Sequence, residues 1–176
     1  MDWKACCFSG HRSLSDRHIP YMHEYLKTQL AQLCAMGCRT FYAGGAVGFD
    51  TIAALEVLKL KADFPAVKLH LLLPYPGQAD HFSASEKSTY EFIKERANSF
   101  LYLYPAYVPE CMYARNRALV EHSELLLCYL IRRRSGTMYT VNYARRRGVP
   151  VINLADVIDE EEKKRMSGPA SSGDPG

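Results

Sequence analysis

Thr40-Phe41-Tyr42-Ala43-Gly44-Gly45-Ala46-Val47-Gly48-Phe49-Asp50 is an apolar run, a glycine turn and the start of a helix. The helix reading comes from Ile52, Leu55, Val57 and Leu58, which follow at helical spacing. A strand, a glycine turn and a helix in that order are the opening half of a βαβ unit. Glycine in such a turn lets backbone N–H groups approach an anion with no Cβ in the way. The helix that follows adds free N–H donors and a favourable dipole.

The pattern repeats on both sides of this stretch. Upstream, the apolar run from Lys4 leads into Phe8-Ser9-Gly10-His11-Arg12. Downstream, Leu125 to Ile131 leads into Arg134-Ser135-Gly136-Thr137. Strands are predicted at 4–8, 40–43, 67–73, 100–103, 125–131 and 149–153, and helices at 16–36, 50–61, 85–97, 110–122 and 137–147. Alternation of this kind predicts an α/β, Rossmann-like, doubly wound and mostly parallel sheet of about six strands with helices on both faces. For strand order 3-2-1-4-5-6, the loops after strands 1, 2, 4 and 5 line one crevice at the carboxyl ends of the strands. Residues 9–12, 44–49, 104–109 and 132–136 then meet there.

Composition sets the outer limits. The chain has 176 residues, 48% of them hydrophobic and 23% charged, with a net charge of +3. One soluble domain over residues 1–166 is expected, followed by a disordered tail at 167–176 rich in Gly, Pro and Ser. The charge is too small to imply nucleic acid as a partner, and the clusters Arg132–Arg134 and Arg145–Arg147 read as solvated patches. Residues 1–10 lack the apolar region of a signal peptide, and no apolar run reaches the ~20 residues needed to span a bilayer. A cytoplasmic protein with no membrane partner is expected. The six cysteines show no zinc spacing and read as buried free thiols, so no metal and no cofactor is expected.

Several side chains are candidates for chemistry. Ser9, Gly10, His11 and Arg12 follow the first strand, where Arg12 can make a bidentate contact to phosphate. Gly44, Gly45 and Gly48 fit neither Gly-x-Gly-x-x-Gly nor a Walker loop. Asp50 reads either as an N-cap or as an acceptor for ligand hydroxyls. Arg115 and Asn116 are about 100° apart on one helix and border one site. Ser135, Gly136, Thr137 and Thr140 read either as a phosphate turn or as a turn and helix cap. His18, His23, His70, His81 and His122 form no metal spacing and read as structural or exposed.

Together these motifs resemble the YpsA-like family of the SLOG superfamily, named for the Smf/DprA and LOG proteins. The resemblance rests on 8–12, on 44–54, on Leu73-Pro74 with Gly77-Gln78, on Cys111-Met112 with Arg115-Asn116-Arg117, and on 136–144. It implies a Rossmann-like fold and a site for a nucleotide or nucleotide-derived ligand, and it adds Gln78 to the candidate residues. LOG enzymes cleave the N-glycosidic bond of nucleoside monophosphates with an Arg and a Glu in Pro-Gly-Gly-x-Gly-Thr-x-x-Glu. Gly136-Thr137 match that motif, but the Glu position holds Thr140. Asp50 and Glu56 are the carboxylates that can substitute. The resemblance therefore favours a nucleotide-binding sensor or regulatory module. An N-glycoside hydrolase is the first alternative and a DprA-like single-stranded DNA binder the second. A homo-oligomer is compatible with all three.

Overall fold

The computed structural model describes residues 3–167. Its sheet holds six parallel strands: β1 (Ala5–Gly10), β2 (Thr40–Ala43), β3 (Lys68–Leu73), β4 (Ser99–Tyr102), β5 (Leu125–Tyr129) and β6 (Val151–Asn153). Between and after them run α1 (Ile19–Ala35), α2 (Phe49–Leu60), α3 (Ala84–Arg96), α4 (Cys111–Glu121), α5 (Gly136–Arg146) and α6 (Leu154–Ser167). The strand order is β4-β3-β2-β1-β5-β6. This is the expected Rossmann-like, doubly wound α/β class, with one correction. The fourth strand lies at the edge beside β3, and the fifth takes the place beside β1.

Burial explains the placement. All five residues of β5, Leu-Leu-Leu-Cys-Tyr, are buried, whereas three of the four in β4 are exposed. A strand apolar on both faces belongs inside a parallel sheet. The switch point therefore lies between β1 and β5. The segment 104–109 follows an edge strand and does not reach the crevice as expected.

Alternation along the strands divides the core into two layers. Cys6 and Phe8 face one layer with Met22, Leu26, Leu30, Phe49, Val57 and Ile158. Cys7 faces the other with Leu119, Val120, Val141 and Ala144. Thus α1, α2, α3 and α6 cover one face, and α4 and α5 the other. All six cysteines are buried and free. Burial pushes Cys7 and Cys128 up to about 12, so neither is a ready thiolate.

Two elements differ from the sequence expectation. Helix α1 begins at Ile19, not Asp16, and neither Ser15 nor Asp16 caps it; its N-cap is His18. Helix α6 was not expected, because 159–165 reads as a charge run. Its anchor precedes that run: Leu154, Ala155 and Ile158 are buried against α1 and β5. A Lys164–Glu161 pair then lies on its exposed surface, and an Arg165–Glu162 pair faces α1, with Arg165 over the rings of Tyr21 and Tyr25. Ser167 ends α6, and the rest of the expected tail lies outside the described residues.

Candidate functional site

At the carboxyl end of the sheet, the turns after β1, β2 and β5 meet α4 around a cavity of about 330 Å³. Its walls include Ser9, Gly10, His11 and Arg12 from the first turn and Ala46 and Asp50 from the second. Arg132, Ser135, Gly136 and Thr137 come from the third, and Met112, Arg115 and Asn116 from α4. A groove of about 460 Å³ between α1 and α6 is larger, but it contains none of these turns. The convergence of the three glycine turns, not size, singles out the cavity at the carboxyl end of the sheet.

The first two turns interlock. Gly48, at φ +86°, is the N-cap of α2 and lies against the backbone of His11 and Arg12. Phe49 N–H donates to His11 C=O at 3.1 Å. Asp50 is therefore in the first turn of α2 and is not its N-cap, which settles one of the two sequence readings. Its side chain is buried in the cavity wall. Burial pushes the Asp50 carboxyl up to about 6, against the Arg115 charge and the N–H groups of Gly10, Gly44 and Ala46, which pull it down.

Arg115 is buried as well. Its Nε donates to Asn116 Oδ1 at 2.8 Å, and its Nη1 donates to the Gly44 carbonyl. Among the described residues, no carboxylate lies within ion-pair distance of it. Burial draws its pKa down and the Asp50 charge draws it up, with a net lowering. Arg12 and Arg132 are exposed at the mouth, and neither is in an ion pair among the described residues.

His11 has a more fixed role than a mobile ligand contact. Its Nε2 accepts the N–H groups of Ile131 at 2.9 Å and Arg132 at 3.1 Å. The remaining proton is then on Nδ1, which faces Thr137 Oγ1 at 3.5 Å. Burial and Arg132 lower its pKa, so the neutral ring holds the third turn against the first. Tyr129 Oη, at the end of β5, accepts the Ser15 N–H at 3.0 Å and pairs with His18 Nδ1 at 2.9 Å. These bonds tie both ends of the Arg12 loop to β5.

At the start of α5, Ser135 is the N-cap: its Oγ accepts the Met138 N–H at 3.1 Å. Gly136 is exposed and has open space where a Cβ would stand. The N-terminus of an 11-residue helix therefore opens on the cavity.

The remaining candidates are elsewhere. Glu56 faces a separate groove between α1 and α2, where it pairs with His23 at 2.9 Å and Lys59 at 2.8 Å. Six residues beyond Asp50, it has turned to another side of the helix and cannot assist Asp50. Thr140 is fully buried and donates to the Gly136 carbonyl at 3.0 Å, so it does not line the cavity. Gln78 supports the second turn from behind, donating to the Gly44 carbonyl at 3.0 Å. Gly44, Gly45 and Gly48 shape that turn but do not line the cavity.

Ala46 and Arg132 lie in the stretches 44–49 and 132–136 that the sequence places at the crevice, though neither they nor Met112 were among the candidate residues. Met112 was within reach, because it lies three and four residues before Arg115 and Asn116 on one helix face. Among the described residues, no three His, Cys, Asp or Glu side chains stand together as a metal site, and no helix is long and apolar enough to cross a membrane.

With this geometry in hand, the family is identifiable. The sequence model of YpsA, described as the YspA SLOG family, matches residues 7–147. The chain belongs to that family. That span takes in the three turns and α4. A UPF0398 protein of Staphylococcus saprophyticus is 28% identical over 80 residues, covering 46% of this chain and 43% of its own length. One from Halalkalibacterium halodurans is 28% identical over 117 residues, covering 65% of this chain and 62% of its own length. One from Bacillus thuringiensis is 24% identical over 151 residues, covering 78% of this chain and 81% of its own length. The chain thus matches less than two thirds of the length of the first two relatives.

Two solved structures share the fold. DNA processing protein A of Helicobacter pylori, described for its single-stranded DNA binding mode, superposes with a TM-score of 0.61 at 19% identity. That match covers 90% of this chain and 73% of the other. The Streptococcus pneumoniae protein of the same name gives a TM-score of 0.62 at 17% identity, covering 90% and 60%. At such identity the likeness concerns the fold alone.

Proposed function

We propose that the cavity binds a nucleotide or nucleotide-derived phosphorylated ligand, and that the chain works as a sensor or regulatory module. The observation that carries this is the buried Arg115 in the cavity wall, which has no carboxylate partner among the described residues. A buried guanidinium with no carboxylate in ion-pair contact favours an incoming anion. The α5 N-terminus, Arg12 and Arg132 stand around the same space and add to that preference. Asp50, with Asn116 beside Arg115, offers hydrogen-bonding groups to the less charged part of such a ligand.

Hydrolysis of an N-glycosidic bond is the weaker reading. Of the two carboxylates that can replace the missing LOG Glu, only Asp50 is in the cavity. Incubation with AMP and other monophosphates is expected to release no free base above background. Turnover on the order of 1 s⁻¹ would refute the sensor reading.

Single-stranded DNA is a second partner to consider, because one of the fold neighbours is described by that binding mode. The exposed Arg132–Arg134 run beside the cavity is the feature of this chain that suits it. A thermal-shift screen of mono-, di- and cyclic nucleotides, ADP-ribose and a short oligonucleotide separates the readings. Stabilisation by a nucleotide and not by the oligonucleotide supports the first, and no nucleotide effect at millimolar concentration overturns it.

A further inference from the structure

We propose that Asp50 takes up a proton when an anion enters the cavity and then donates its O–H to that anion. The proposal rests on the anion-binding reading above and assigns Asp50 a defined part in it.

The geometry puts a buried carboxyl and the place of an incoming anion in one 330 Å³ space. Asp50 is in no ion pair among the described residues, and the nearby Arg115 donates its Nε to Asn116 and its Nη1 to Gly44. A carboxylate and a second anion sharing a desolvated site repel each other, and one of them protonates. Asp50 is close to that point before any ligand arrives, because burial pushes it up to about 6.

The groups facing Asp50 come from each neighbouring element. The N–H groups of Gly10, Gly44 and Ala46 and the Arg115 charge favour its ionised form. Cys7 on β1 is held neutral by burial, and Tyr90 on α3, in the wall behind Asp50, is pushed well up by burial. Neither gains or loses a proton near neutrality. Arg12 and Arg132, in the wall of the same cavity, are positive groups that also favour the ionised form of Asp50, and His11 is the cavity's imidazole. Its Nε2 lone pair already accepts two backbone N–H groups, so protonating it would break the anchor of the third turn. That leaves Asp50 as the proton acceptor. An anion then gains a short O–H···O⁻ contact where it would otherwise meet a charge of its own sign.

Calorimetry tests this directly, with sulfate and ADP-ribose as probes because neither titrates between pH 5 and 8. Each is titrated at pH 7 in buffers of different ionisation enthalpy. The expected result for the wild type is uptake of close to one proton per bound anion. Above about pH 6 its affinity is expected to fall toward tenfold per pH unit. Asp50→Asn is expected to bind without uptake and with a flat pH profile. Equal heats in all buffers for the wild type would overturn the proposal, as would uptake that persists in Asp50→Asn. Failure of both probes to bind the wild type would remove the anion-binding reading itself, and this inference with it.

Discussion

Asp50 and Glu56 look alike in the sequence, two carboxylates on one helix, and the structure gives them opposite surroundings. Glu56 is pulled two ways: burial raises it, while Lys59 and His23 lower it and prevail. Asp50 has no such pair, and burial prevails. A carboxyl raised in the folded state keeps its proton longer there than in the unfolded chain. The folded state therefore loses stability as pH rises from about 4 to about 6, by up to roughly 3 kcal/mol from this group. Asp50→Asn removes that loss. Urea melts of both proteins should show the variant's relative stability growing from pH 4.5 to pH 7.5, and a gap that stays constant would contradict the assignment. Glu56→Gln, remote from the cavity, should leave nucleotide affinity unchanged in the same thermal-shift assay.

At this scale the sequence was legible in the position of residues that gather at the carboxyl ends of the strands. Ser9, Gly10, His11, Arg12, Asp50, Arg115, Asn116, Ser135, Gly136 and Thr137 all line the cavity. It was not legible where a turn packs on distant elements. Gly45 is at φ +71°, and an added Cβ would stand 2.7 Å from Leu73 Cδ2 and 3.0 Å from Tyr90 Cε2. That is a contact between segments distant in sequence, which no local pattern encodes.

Among the elements, α5 and α6 carry the clearest tests. Helix α5 directs its N-terminus at the cavity, and Ser135 caps it. Ser135→Ala should cost about 1 kcal/mol in a denaturant melt. Ser135 Oγ also donates to the Arg132 carbonyl at 3.1 Å, so the same change should loosen the third turn. Helix α6 shows why charge runs mislead. The sequence pattern weighs the polar residues 159–165, but the helix is held by Leu154, Ala155 and Ile158, which pack on α1 and β5. Ile158→Ala should destabilise the fold by about 2–5 kcal/mol, as large-to-small changes in a core do. A loss below about 0.5 kcal/mol would mean that α6 is only loosely attached. The other five helices were readable because each lies between two apolar runs that read as strands.

Over the whole molecule, strand order was the part that local signals could not supply. Both β4 and β5 are short apolar runs, and only their burial in the assembled sheet separates edge from centre. The error did not move the site, because β1 remains central and the turns after β1, β2 and β5 still converge. Charge distribution is also a property of the whole. Arg12, Arg115 and Arg132 surround the cavity, whereas Arg145, Arg146 and Arg147 are at the far end of α5, about 15 Å along its axis from the N-terminus. A small ligand in the cavity would use the first set. A DNA strand would draw on many arginines, and its affinity would fall steeply with salt.

The most direct test is a titration of nucleotides and an oligonucleotide into three proteins, at low and high salt. These are the wild type, Arg12→Ala, and the triple alanine variant of Arg145, Arg146 and Arg147. Arg12 is exposed and unpaired among the described residues, so its removal should leave the fold intact. The expected result is nucleotide binding by the wild type that weakens about tenfold or more in Arg12→Ala, as for a lost charge-assisted contact. The triple variant should bind as the wild type does. Oligonucleotide binding that is tight, steeply salt-dependent and lost in the triple variant, with no nucleotide bound, would contradict the account.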